Sequence, residues 1–382
     1  MFPTTKNRTP SPECEQWAKT CLTTDYIDIK PLPEHAHHNK FYFTVTVPGN
    51  QKQYLLVETH NDMASSLKFS TTAKILRQKN IHTPNVYHQK ISQQKSWMIM
   101  THFGNVSMLD WLQQNQNKKQ KDILMRHCLD EIGKFQKQKL DYPTHTYHAK
   151  TIRSDIERSD TYYLQQFLGI DLNATQKANY AFAKTFLVDQ IEKIPLAPMH
   201  FDFHSANIML LPQRTLGILD FQDMQIGPIN YDLASLLTDH YYHHPISEIG
   251  MYVRMFYDQH LDNAFKATYT EEDFLKMTHW VAIQRHLKNI GIFSKLFFNR
   301  KKHYIKHIPG MMHRLRQLCQ PYDQLTEIPD LFWSATQQEV FKSQLGLLNQ
   351  DEQTEINYID ILNHIDTRTT HTFEDTIPME SS

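Results

Sequence analysis

Residues 199–223 read "MHFDFHSANIMLLPQRTLGILDFQD", and the way this stretch folds decides what the rest of the chain can be. It sets two histidines, an aspartate and an asparagine ahead of two short apolar runs, then adds two more carboxylates. Laid out as one strand, His200, Asp202 and His204 share a face, which is the donor set of a three-ligand zinc site. Pro198 before the run and Ser205-Ala206-Asn207 after it favour a loop instead. Such a loop is either a polar turn whose groups bond one another or a catalytic loop, and spacing separates the two.

The 382 residues are 40% hydrophobic and 12% aromatic, enough for a sizeable core in one large domain or two packed lobes. Forty basic against 41 acidic residues leave a formal charge of −1. No global field draws such a chain to nucleic acid or to an anionic membrane. The 23 histidines scatter without forming a tract. Cys14, Cys21, Cys128 and Cys319 show no C-x-x-C spacing, so neither a disulfide framework nor a zinc ribbon is expected, and a reducing cytoplasm is the expected location. The start, "MFPTTKNRTPSPECEQW", lacks the apolar core of a signal peptide. No run of about 18 apolar residues exists to span a bilayer.

Working outward, the chain changes character near Gly104. Before it, residues 1–12 form a loose leader, and 13–29 mix polar and apolar residues at helical spacing, with Trp17, Leu22 and Tyr26 as core contacts. "FYFTVTV" (41–47) alternates with the period of a half-buried strand, and "QYLLV" (53–57) returns after "PGNQK" to make a hairpin. "SSLKFSTTAKILRQKN" predicts a helix capped by Ser65 or Ser66, with Leu67, Ala73 and Leu76 on its buried stripe. Pro84 breaks it, and "SWMIM" (96–100) is a further strand. Beyond Gly104, helices are predicted over 106–116, 121–138, 151–168 and 174–193. "NIMLL" and "TLGILDF" form a short hairpin, and helices resume over 231–243, 247–265, 271–296 and 306–320. From about 337 the tail is polar and acidic, partly helical at best, with a disordered end. The layout is α+β: a leader and helix (1–34), a small β-rich lobe (35–103), a large helical lobe (104–336) and a polar tail (337–382).

In that setting the spacing speaks. His200-x-Asp202-x-x-x-x-Asn207 is the register of the phosphotransferase catalytic loop, and Asp220 opens "DFQ" after a strand–turn–strand, where kinases place the D-F-G aspartate. The chemistry explains the residue types. A carboxylate orients the attacking hydroxyl and takes its proton, which suits Asp202. An amide oxygen and a second carboxylate hold Mg²⁺ against the ATP phosphates, because hard Mg²⁺ takes oxygen ligands; Asn207 and Asp220 suit that role.

The string "MHFDFHSANIMLLPQRTLGILDFQDMQIGPINYDLASLL" resembles the aminoglycoside phosphotransferase and choline kinase superfamily. Within it the likeness is strongest to the bacterial anomeric kinases of N-acetylmuramate and N-acetylglucosamine, which act in peptidoglycan sugar recycling. "LDFQD…IGP…YDLASLL" and "QRHLKNIGIFSKL" (284–296) carry that narrower likeness. "KFYFTV", "ILRQKNIHTPNV" and "TYYLQQFLGIDL" extend it weakly over about 35–325. The resemblance implies a two-lobed protein-kinase-like fold, with ATP between the lobes and its adenine near Met100 and His102. It implies Asp202 as catalytic base and Asn207 and Asp220 as Mg²⁺ ligands. The implied acceptor is the anomeric hydroxyl of a small amino sugar, and the product a sugar 1-phosphate. Asp223 lies near metal or substrate on this reading, while His200 and Asp232 support the loop. Arg285 and His286 are implied sugar contacts, against the plainer alternative that an arginine on a long amphipathic helix is structural.

Two features depart from kinase patterns. The strand "YLLVETH" lacks the phosphate-binding lysine and carries Glu58 near its place. The preceding "PLPEHAHHNKFYF" contains no glycine, so no G-x-G-x-x-G exists, and the phosphate clamp is left to Lys40 or to basic residues elsewhere. Phe201 stands where protein kinases have arginine, which suits a small-molecule acceptor. The alternatives are a kinase of another small alcohol (an aminoglycoside, choline or homoserine) and an inactive pseudokinase scaffold. Residues 247–300 mix Asp258, Glu271 and Glu272 with Arg254, Lys276, Arg285 and Lys288, which does not favour a polycation.

Overall fold

The computed structural model describes residues 9–32, 39–49, 52–115, 117–138, 145–299 and 301–351. The loose leader up to residue 8, most of the glycine-free segment (33–38) and the tail from 352 onward lie outside the described residues. The chain forms two compact units that do not follow chain order. One joins residues 1–140 to 200–224, and the other joins 141–199 to 225–382.

The first unit is built on five strands, β1 (Asp28–Pro31), β2 (Lys40–Thr46), β3 (Gln53–His60), β4 (Val86–Ile91) and β5 (Lys95–Thr101), in the antiparallel order β1-β2-β3-β5-β4. Strand alternation gives the sheet two apolar faces. Phe43, Val45, Leu56, Trp97 and Ile99 face helix α1 (Pro12–Cys21), which brings Cys14, Trp17 and Ala18 onto them. Val57, Met98 and Met100 fill the other face, joined by Phe69 of helix α2 (Met63–Gln78). Pro12 opens α1, with Glu13 and Glu15 in its first turn and Lys19 in its last, matching the helix dipole.

Several local expectations change here. Asp62 caps α2, its carboxylate accepting from the Ser65 N–H at 3.3 Å, in place of Ser65 or Ser66. Ala73 and Leu76 are buried, but Leu67 is 57% exposed. The first helix ends at Cys21 and the chain turns into β1, which takes Tyr26 out of helical register and leaves it 62% exposed. Strands β1 and β4 lie at the two edges of the sheet and are mostly exposed, so neither shows the alternation that reveals a half-buried strand.

Helix α3 (Met108–Gln114) starts at a capping box in which Ser107 and Asp110 satisfy each other's backbone N–H groups. Helix α4 (Lys118–Gln136) follows, and the hairpin Ile208–Leu210 with Leu216–Ile218 completes the first unit.

The second unit is helical apart from one short antiparallel pair, Leu196–Met199 with Gln225–Pro228. Prolines 198 and 228 hid that pair from the strand pattern. Helix α5 (Ala149–Ser159) runs on into a π-helical stretch over Asp160–Phe167, and α6 (Ala174–Glu192) follows. After α7 (Tyr231–Leu237), α8 (Ile246–His260) and α9 (Asn263–Thr268) comes α10 (Glu271–Phe298). At 28 residues, α10 is about 42 Å long, and most of its second half is buried. A Cβ at Gly291 of α10 would stand 2.5 Å from the Arg158 and Ser159 backbone, so glycine there lets α5 approach. Helices α11 (Ile308–Cys319), α12 (Glu327–Trp333) and α13 (Ala335–Asp351) close the unit. A small antiparallel sheet followed by a mostly helical remainder is the α+β arrangement the sequence predicts. Among the described residues no helix is long and apolar enough to cross a membrane, and all four cysteines are free thiols.

Candidate active site

The loop after Met199 is not a strand. Phe201 has φ +77°, a left-handed conformation that costs an ordinary side chain roughly 1–2 kcal/mol. It breaks the alternation that would have set His200, Asp202 and His204 on one face. His200 is fully buried, its ring edge-on to Phe135 and Phe203 at 5.7 and 5.6 Å. The Asp202 N–H donates to His200 Nδ1 at 3.2 Å. That bond makes Nδ1 the acceptor, so Nε2 carries the proton and donates to the Leu219 carbonyl at 2.8 Å. Burial holds the imidazole below its ordinary pKa even though the charges of Asp202 and Asp220 pull the other way, which agrees with a neutral ring. Both nitrogens are therefore committed, and His200 cannot ligate a metal. Among the described residues no group of three or more His, Cys, Asp or Glu could hold one.

His200 thus bonds the residue preceding Asp220 and the backbone of Asp202 at once. Asn207 repeats the link. Its carbonyl accepts from the Leu219 N–H at 2.9 Å, and its side-chain Nδ2 donates to the Asp202 carbonyl at 3.1 Å. With the amide nitrogen turned to Asp202, the oxygen is the end of Asn207 left for a ligand. Asp220 stands at φ +56°, a left-handed position that aspartate tolerates better than most residues. Its Oδ1 accepts from Gln222 Nε2 at 2.6 Å. The next residue, Phe221, is fully buried and packs on Phe69 of α2 at 4.8 Å. The ring of Phe221 thereby anchors the aspartate beside the α2 face of the sheet. Tyr42, on that face, has its phenol pushed up to about 12, first by burial and then by the charge of Asp220.

The Asp202 side chain is 43% exposed, with His204 Nε2 3.3 Å from its Oδ2. A half-exposed carboxylate on a loop braced from below can meet an acceptor hydroxyl. The amide oxygen of Asn207 and the carboxylate of Asp220 make an all-oxygen pair. That donor set fits Mg²⁺, which commonly takes one or two protein oxygens and fills its sphere with water and phosphate.

The remaining candidates have these surroundings. Asp223 is 64% exposed and pairs with Lys68 of α2 at 3.0 Å. Met100 is buried in β5 opposite Leu55, and His102 just beyond it is half-buried. Asp232, Arg285 and His286 belong to the second unit and are 1%, 4% and 2% exposed. The Arg285 guanidinium lies 4.9 Å above the Tyr231 ring. His286 is pushed down to about 3, first by burial and then by Arg314. The "QRHLK" block is thus a buried polar seam, in which Gln284 Nε2 donates to Tyr147 Oη at 2.8 Å and Lys288 reaches Tyr231 Oη at 3.3 Å. Glu58 has its own task. It faces α1, 4% exposed, accepting from the Ser11 N–H and hydroxyl at 2.9 and 2.5 Å and from Trp97 Nε1 at 3.2 Å. Burial raises its pKa, but these donors outweigh it and hold the carboxyl below its ordinary value. Gln222 and Tyr42 were not singled out from sequence, and His204 entered only as a zinc ligand, because none sits at an offset the motif specifies.

The chain is 26% identical over 315 residues to the N-acetylmuramate/N-acetylglucosamine kinase of Neisseria meningitidis serogroup B, covering 82% of this chain and 92% of that protein. It is 23% identical over 284 residues to the enzyme of the same name from Pseudomonas putida, covering 74% and 82%. Among solved structures, ADP-bound aminoglycoside phosphotransferase APH(2'')-Ib superposes with a TM-score of 0.55 at 13% identity, over 85% of this chain and 99% of that one. The kinase-like fold is therefore shared. The model of the phosphotransferase enzyme family matches residues 28–275, a span that contains the braced loop and the "DFQ" turn, and the chain belongs to that family.

Proposed function

We propose that this protein is an ATP-dependent kinase that phosphorylates the anomeric hydroxyl of N-acetylmuramate, N-acetylglucosamine or both, giving the sugar 1-phosphate. The observation that carries the reading is the double tie, through His200 and Asn207, between the Asp202 loop and the strand leading to Asp220. It links the loop that carries Asp202 to the residue before Asp220, an aspartate 18 positions on in sequence, which supports reading the two as one phosphotransferase constellation. The relatives named for these two sugars supply the acceptor.

In this mechanism Asp202 accepts a hydrogen bond from the acceptor hydroxyl, orients its oxygen toward the γ-phosphorus and takes the proton as the bond to phosphorus forms. The bond from the γ-phosphorus to the bridging oxygen breaks, and ADP leaves. Bound Mg²⁺ supplies positive charge to the phosphate oxygens, and Asn207 and Asp220 are the residues that would hold it. His200 keeps Asp202 in register through its backbone N–H.

The test is transfer itself. Purified protein is incubated with ATP, Mg²⁺ and, separately, each of the two sugars, choline, homoserine and an aminoglycoside, with products read by phosphorus NMR. A sugar 1-phosphate from either N-acetylated sugar supports the proposal. Transfer to another alcohol, or no transfer to any, sinks it.

A further inference from the structure

β3 contains no lysine, and its one charged residue before His60, Glu58, is occupied with α1 on the far face of the sheet. The face that meets α2 and the Phe221–Asp220 turn offers Leu55, Val57 and Thr59 from β3. A phosphate-binding cation must come from another element.

Lys40, the first residue of β2, lies on that face. Its strand partner is Thr59. Through Ser65, one helical turn before the Phe69 whose ring packs on Phe221 at 4.8 Å, Lys40 stands on the side of α2 that also meets the residue next to the proposed metal ligand Asp220. It is partly exposed, and its Nζ donates to Ser65 Oγ in the first turn of α2 at 2.6 Å. Among the described residues it meets this neutral hydroxyl and no carboxylate. Beneath it, the Thr59 hydroxyl and that of Ser96, the next residue across on β5, are buried with no hydrogen-bond partner among the described residues. This end of the face holds an ammonium and three hydroxyls, and the one carboxylate beside Ser65, that of Asp62, caps α2 by accepting from the Ser65 N–H at 3.3 Å and makes no ion pair with Lys40. Three ammonium protons with one used leave two for phosphate oxygens.

We propose that Lys40, held by Ser65, takes the place of the absent β3 lysine and binds the non-transferred phosphates of the nucleotide. The inference rests on the kinase reading above. It predicts that Lys40→Met weakens ADP binding by about tenfold or more, the scale of one charge-assisted hydrogen bond, while adenosine affinity stays within twofold. Lys40→Arg recovers most of the ADP affinity. Titration calorimetry of wild type and both variants with ADP and with adenosine reads this directly. As a measurement that needs no variant, ADP but not adenosine slows acetylation of Lys40 in the wild-type protein, followed by mass spectrometry. If wild type binds ADP while Lys40→Met binds it equally well, or ADP gives no protection, Lys40 is not the clamp and the kinase reading stands. If wild type binds no ADP at all, both fall.

Discussion

Replacing His200 by alanine removes one ring and the bond it makes to each of two backbone groups. The Asp202 N–H and the Leu219 carbonyl both lose their bond to the imidazole, and Phe135 and Phe203 lose an edge contact. A buried group left unpaired costs about 1–3 kcal/mol. The Asp202 N–H lies in a part-buried loop and falls at the low end, so the sum is roughly 2–4 kcal/mol. Catalysis should suffer beyond stability. Freed of its anchor, Asp202 shifts, and a misplacement of about 1 Å costs on the order of 10²-fold. His200→Gln sharpens the argument, because its amide can still donate to Leu219 while losing the Nδ1 acceptor. Urea unfolding with constant m, together with kcat at saturating ATP and sugar, measures both effects. The expected order is wild type, then Gln, then Ala, in stability and in kcat. The reasoning is refuted if His200→Ala unfolds within about 0.5 kcal/mol of wild type, a typical surface-mutation effect, and turns over at the wild-type rate.

Three further outcomes follow from the same geometry. Asp220→Ala should raise the Mg²⁺ concentration needed for half-maximal transfer by about tenfold or more, and a magnesium titration that overlays wild type removes Asp220 from the metal. Glu58→Ala strands the Ser11 N–H and the buried Trp97 indole, and should cost about 2–4 kcal/mol, visible in the urea transition followed by tryptophan fluorescence; no shift in midpoint would mean that α1 is not held through this carboxylate. His279, His286 and His307 are pushed down to about 4, 3 and 3, each first by burial. Since their folded values lie below the unfolded one, the unfolded chain binds more protons in acid. Their contribution is complete above about pH 6.5 and is lost as pH falls toward 4, at about 1.4 kcal/mol per pH unit for each; a denaturation midpoint that stays flat from pH 7 to 5 contradicts this.

What could be read from the sequence was whatever is local in the chain. The offsets among His200, Asp202, Asn207 and Asp220 span 20 positions and need only a loop and a hairpin to meet. The alternation of β2 and β3 and the long apolar periodicity of α10 are likewise local. What escaped depends on contacts made at a distance. The role of Glu58 is set by Ser11, 47 residues away, and that of Asp223 by Lys68, 155 residues away. Edge strands β1 and β4 bury too little to imprint a period. Leu67 fits a helical stripe by spacing, yet it lies on the exposed side of α2, 57% accessible. The reach of His200 to Leu219 follows from the left-handed turn at Phe201, for which a phenylalanine gives no signal.

The central claim is that Asp202 acts on the acceptor hydroxyl at a site assembled around it. Asp202→Asn keeps the size and removes the base, so it isolates that role. With N-acetylmuramate or N-acetylglucosamine, whichever is the better wild-type acceptor, kcat should fall by about 10²–10⁴ while ADP affinity measured by calorimetry stays within a few-fold. A variant that makes sugar 1-phosphate at the wild-type rate contradicts the account.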